Sequence, residues 1–72
     1  MIVLVNNRAY KMSKEEAEGL LKVASKLIPF GIYAVEKNKE IELLKIKCGS
    51  KADLKQKKQL YMKRGFKVYA NG

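Results

Sequence analysis

Histidine and tryptophan are absent from this chain, and cysteine and proline occur once each. Without histidine the side chain that titrates nearest neutral pH is missing, which removes histidine-based acid/base catalysis, thiol–histidine nucleophiles and ordinary zinc sites together. The lone Cys48 has no second thiol to pair with, so the domain is not a disulfide-stapled secreted scaffold and its core must suffice, with self-association as an added support. No glycine-rich phosphate loop or paired-glycine fingerprint occurs, and no cofactor is expected. Long hydrophobic runs are lacking too. The segment from Met1 to Val5 is too short for a signal core, has no basic leader and runs into Asn6-Asn7, and nothing approaches the roughly 20 apolar residues of a spanning helix. A cytoplasmic protein without a membrane partner is expected.

Arginine is scarce as well, since fourteen of the sixteen basic residues are lysine. Lysines are mobile point charges, not the planar forks that read phosphates or guanine edges bidentately, so this composition suits non-specific attraction better than base readout. The net charge is +9, and it is unevenly spread. Residues 1–36 carry five basic and four acidic side chains, whereas residues 37–72 carry eleven basic and three acidic ones.

What is present describes a folded protein. A hydrophobic fraction of 47% argues against disorder even with 32% of residues charged. At 72 residues the chain has material for one compact domain, residues 1–72, because a divided core could not offset the entropy of ordering the backbone.

Ile2-Val3-Leu4-Val5 is a continuous β-branched apolar run, expected as a core strand. Asn6-Asn7 suits a tight two-residue turn, and the segment from Arg8 to Met12 reads as the returning strand. Ser13-Lys14-Glu15-Glu16 has the form of a capping box and opens a helix that carries Ala17, Leu20, Leu21, Ala24, Leu27 and Ile28 on one face. Pro29 and Gly31 end that helix near Leu27 or Ile28. Phe30, between them, is expected to plug the core below it.

Two further strands, from Ile32 to Glu36 and from Ile41 to Cys48, flank a charged turn at Lys37-Asn38-Lys39. In the second, Ile41 and Leu43 lie on one face but Leu44, Ile46 and Cys48 on the other, which implies either a bulge at Leu43-Leu44 or a strand covered on both faces. Ser50-Lys51-Ala52-Asp53 caps a second, basic helix whose apolar side is thin, with Leu54 and Tyr61 two turns apart, and Gly65 suits its C-terminal cap. Phe66, Val68 and Ala70 alternate with Lys67 and Tyr69 in a short last strand. The expected fold class is α+β, a small two-layer domain with a mostly antiparallel sheet and two helices packed on one face, in the order ββ-α-ββ-α-β.

Few residues offer chemistry. Glu15, Glu16 and Glu18 lie at a helix start where capping and the dipole account for them, and Glu36, Glu40 and Glu42 flank a lysine-rich hairpin, so no enzyme is expected. Cys48 lies between Lys47 and Lys51, a setting that could activate a thiol, but its alternation with Leu44 and Ile46 turns it inward as a small core hydrophobe. The basic surface is the one feature with functional content. Lys45 and Lys47 share a strand face, Lys67 and Tyr69 share the matching face of the last strand, and Lys51, Lys55 and Lys58 project from the second helix. Clustered cations attract phosphates, and a tyrosine among them can stack on an unpaired base. The expectation is a non-enzymatic module that binds DNA or RNA through these seven residues. The alternative is a small interaction module, a regulator, inhibitor or homodimer, whose basic face docks on an acidic protein partner.

Overall fold

A computed structural model describes residues 1–72. The chain forms β1 (Ile2–Val5), β2 (Arg8–Lys11), α1 (Lys14–Leu27), β3 (Gly31–Lys37), β4 (Glu40–Lys47), α2 (Lys51–Met62) and β5 (Lys67–Asn71). The α+β class, the element order and the mostly antiparallel sheet are as the sequence implies.

Local signals set the boundaries. Asn6 and Asn7 adopt φ of 50° and 66°, the left-handed pair that lets a two-residue turn follow strand twist. Asn38 and Lys39 do the same between β3 and β4. At the start of α1 the Ser13 hydroxyl accepts from the Glu16 amide at 3.2 Å and the Glu16 carboxylate accepts from the Ser13 amide at 3.1 Å. After α2, Gly65 (φ 85°) donates to Met62 and Phe66 donates to Tyr61, the crossed bonds of a Schellman turn. Gly31 is required by space, because a Cβ there would run into the Ile46 carbonyl.

The five strands lie in the order β2-β1-β4-β3-β5. β1 pairs antiparallel with β2 and parallel with β4, while β3 pairs antiparallel with β4 and β5. From these pairings β2 runs parallel to β3, and β4 runs parallel to β5 but opposite to β2. Both helical crossovers therefore move toward the β5 edge from strands of opposite direction. Crossovers of one hand must then place their helices on opposite faces, and right-handed crossovers are nearly universal.

The packing follows that rule and corrects the expectation of two helices on one face. Val3, Ala17, Ala34 and Ile41 form one buried cluster, joined by Leu20, Leu21, Leu43 and Tyr33. Ile32, Val35 and Leu54 form a second, joined by Leu44, Ile46, Tyr61 and Phe66. The domain thus has three layers, with α1 on one face of the sheet and α2 on the other. β4 is covered on both faces, Ile41 and Leu43 toward α1 and Leu44, Ile46 and Cys48 toward α2. Its register against β3 also shifts here, with Leu44 and Lys45 lying between the Leu43 and Ile46 pairs where β3 has only Tyr33. Against β5 the shift has the opposite sense, since β3 advances two residues from Ile32 to Ala34 while β5 advances one from Ala70 to Tyr69, which leaves Tyr33 as the extra residue. Phe30 packs with the α2 cluster, not below α1.

Val3, Ile32, Val35 and Ile41 are the largest fully buried side chains, each contributing roughly 1.5–3 kcal/mol by burial. The last strand is tied to α1 by Asn71, whose carboxamide donates to the Ser25 and Ile28 carbonyls at 2.8 and 2.9 Å. Those are carbonyls that a helix C-terminus leaves without internal partners. No helix is long and apolar enough to cross a membrane.

Candidate functional site

α2 is positioned by its cap and by two inward side chains. The Ser50 hydroxyl accepts from the Asp53 amide at 3.1 Å, and the Asp53 carboxylate accepts from the Gly49 amide at 3.3 Å. Leu54 is buried, and Tyr61 meets Phe66 edge-on with ring centroids 5.9 Å apart. With Leu54 and Tyr61 turned to the sheet, helical geometry turns Lys51, Lys55 and Lys58 to one flank, at rises of about 6 and 4.5 Å along the axis. These three lysines, Gln59 and Met62 rim an open depression of about 440 Å³ with Leu54 inside and Gly72 on its far wall.

No carboxylate side chain enters that depression. Asp53, the one acid of α2, lies 3.3 Å from Lys57, so it neutralises a lysine outside the stripe. At the other end of the helix the Lys37 ammonium donates to the Arg64 carbonyl at 2.8 Å and sits 5.3 Å from the Phe66 ring centroid. That places Lys37 in a capping role that its sequence position does not suggest.

The remaining sequence-expected residues lie elsewhere. Lys45 and Lys47 project from the α1 face of β4, and Lys45 lines a groove beside the last turn of α1. Lys67 and Tyr69 are also on the α1 face but toward the opposite end of the sheet, where Lys67 stands opposite Glu36 and shares a hollow with Lys14, Glu18 and Glu36. Tyr69 is not free to stack on a base. Its hydroxyl donates to Glu36 at 2.7 Å, the Lys67 ammonium lies 5.1 Å from its ring centroid, and Tyr33 lies at 6.2 Å. Burial first, then the hydrogen bond to Glu36 and its charge, push the Tyr69 phenol up to about 12.

The seven residues therefore fall into three groups on two faces of the sheet, and only Lys51, Lys55 and Lys58 converge. Gln59 belongs with them but carries no charge, so a search for cations passes over it; its spacing of eight from Lys51 was the available signal. Cys48 is half-buried and packs with the α2-face cluster, as a small core side chain. No three Cys, Asp or Glu side chains gather as a metal site. Comparison of the chain with protein-family models, with curated proteins and with solved structures finds no match.

Proposed function

We propose that this domain is a non-enzymatic binding module that attaches to nucleic acid through the Lys51–Lys55–Lys58 stripe of α2. The observation that carries this reading is the convergence of three lysines and a glutamine on one open depression that no Asp or Glu side chain lines. Lysine supplies phosphate attraction without the bidentate geometry of arginine, so the binding is largely indifferent to sequence. Three phosphate contacts correspond to a slope of log affinity against log salt of roughly −2 to −3.

Fluorescence anisotropy with single- and double-stranded DNA and RNA oligomers, read at two ionic strengths, measures that slope. Replacing Lys51, Lys55 and Lys58 together with glutamine should abolish most of the binding and flatten the slope, with the fold intact because all three side chains reach solvent. Replacing Lys45 and Lys47 should change little. Undetectable binding at low salt, or equal losses in the two variants, would overturn the assignment to α2.

A further inference from the structure

β1 is too short to cover β4. It pairs only Ile2, Val3 and Leu4 with Glu40, Ile41 and Glu42 and then turns away at Asn6-Asn7. β4 continues to Lys47, held on its other side by β3 as far as the Gly31–Lys47 pair. The side of Leu43–Lys47 that faces away from β3 thus has no strand, although β4 is the central strand of the sheet. None of the nine main-chain hydrogen bonds outside the regular elements reaches residues 43–47. A bare run of N–H and C=O groups is a template for an added strand.

The gap opens into the largest groove of the molecule, about 520 Å³. Its walls come from both sides of the sheet, as expected where a strand is missing from the plane: Val5, Leu43, Ala24 and Leu27 on the α1 side, Leu4 and Leu44 on the other. Leu27 belongs to the apolar stripe of α1, yet it is 63% exposed, because nothing in the chain covers that last turn. Lys45 lies in the groove and Lys47 follows two residues on, so both share the α1 face. The one acid in the groove, Glu42, is on the opposite face, where β1 still pairs with β4.

We infer that this gap receives an extended acidic segment of a partner protein, which adds to β4 as a strand of about five residues, roughly 16 Å long. The alternation of β4 specifies the segment: acids opposite Lys45 and Lys47, apolar residues opposite Leu43, Leu44 and Ile46. A second copy of this chain fits less well, since β4 meeting β4 antiparallel across the gap sets lysines against lysines on one face. The site is separate from the α2 stripe and does not depend on it.

Capped peptides Val-Val-Glu-Val-Glu and its reverse, added to nitrogen-15-labelled protein up to roughly 1 mM, test the inference by amide chemical shifts. At least one direction should shift residues 43–47, Asn6, Asn7 and the last turn of α1, and should slow amide exchange within 43–47. A peptide with lysine for glutamate should bind at least about tenfold more weakly, and the K45E/K47E variant should invert that preference. N-methylation of the peptide backbone should abolish binding, and K51Q/K55Q/K58Q should leave it unchanged. Absence of shifts at 43–47 with either peptide, or equal binding of the lysine peptide, overturns the proposal. Shifts at 43–47 that grow with protein concentration alone overturn it in favour of a second copy.

Discussion

Tyr69 is a surface lysine's neighbour by sequence and a half-buried acid's neighbour by structure. Its phenol, pushed up to about 12 from the ordinary 10, keeps its proton in the folded state at a pH where the unfolded chain releases it. A group with a raised folded pKa contributes its full stability below the unfolded value and loses it as pH rises through the folded one. The contribution of Tyr69 should therefore be complete below about pH 10 and fade between 10 and 12. Tyr69→Phe, measured by thermal unfolding across that range, should be less stable than the parent at neutral pH, and the gap should narrow as pH climbs toward 12. A gap that stays constant would mean that the phenol titrates like any exposed tyrosine. None of this was legible in the sequence, because Glu36 is 33 positions away and becomes a partner only once β3 and β5 lie side by side.

The two helices differ in how much holds them. Each helix buries one residue fully, Ala17 in α1 and Leu54 in α2, but α1 adds a reciprocal capping box and two half-buried leucines, Leu20 and Leu21, over its own cluster. Leu54→Ala should thus cost about 2–5 kcal/mol, a large share of what so small a domain can have. Urea denaturation gives the total, and amide exchange shows where it falls: protection should drop across α2 and β5 while α1 keeps most of its own. A loss below about 1 kcal/mol would mean that α2 docks through its partly exposed flank instead. Element boundaries were legible because their causes are local: Ser13 with Glu16, Asn6-Asn7, Pro29 and Gly65 act within a few residues of themselves. The face each helix covers was not, since it follows from strand order, and strand order is set by pairings between distant segments. One trace of it was present in β4, where apolar residues at both parities, Ile41 and Leu43 against Leu44 and Ile46, are what a strand covered on both sides requires. The site was legible to the same degree. That Lys51, Lys55 and Lys58 line one depression follows from a single helix, whereas where Lys45, Lys47 and Lys67 lie relative to them depends on topology, which sets them on the other face of the sheet.

At the scale of the whole molecule, sixteen cations and seven acids share a body 34 × 25 × 19 Å in extent. At about 0.01 M salt the screening length is roughly 30 Å, so every charge acts on nearly every other, whereas at about 1 M it is roughly 3 Å and only touching groups interact. Attraction is scarce in this set, since Lys57–Asp53 is the one close ion pair, and it is an exposed pair within a single helix. Exposed pairs of that kind contribute only about 0.3–0.5 kcal/mol. Self-repulsion from a net charge of +9 therefore outweighs pairing, and it is relieved when the chain unfolds and the charges move apart. Raising sodium chloride from about 0.01 M to about 0.5 M should accordingly raise the melting temperature by several degrees, a shift of about 4–8 °C for each kcal/mol recovered in a domain of this size. The same titration should weaken the proposed attachment to nucleic acid, because counterion release favours binding at low salt. Stability and affinity should thus move in opposite directions along one salt series, and the K51Q/K55Q/K58Q variant, with its charge reduced by three, should start from a higher melting temperature at low salt and gain less from added salt. A melting temperature that falls with salt in the parent protein would mean that attractive contacts, and not the excess of lysine, dominate its electrostatics.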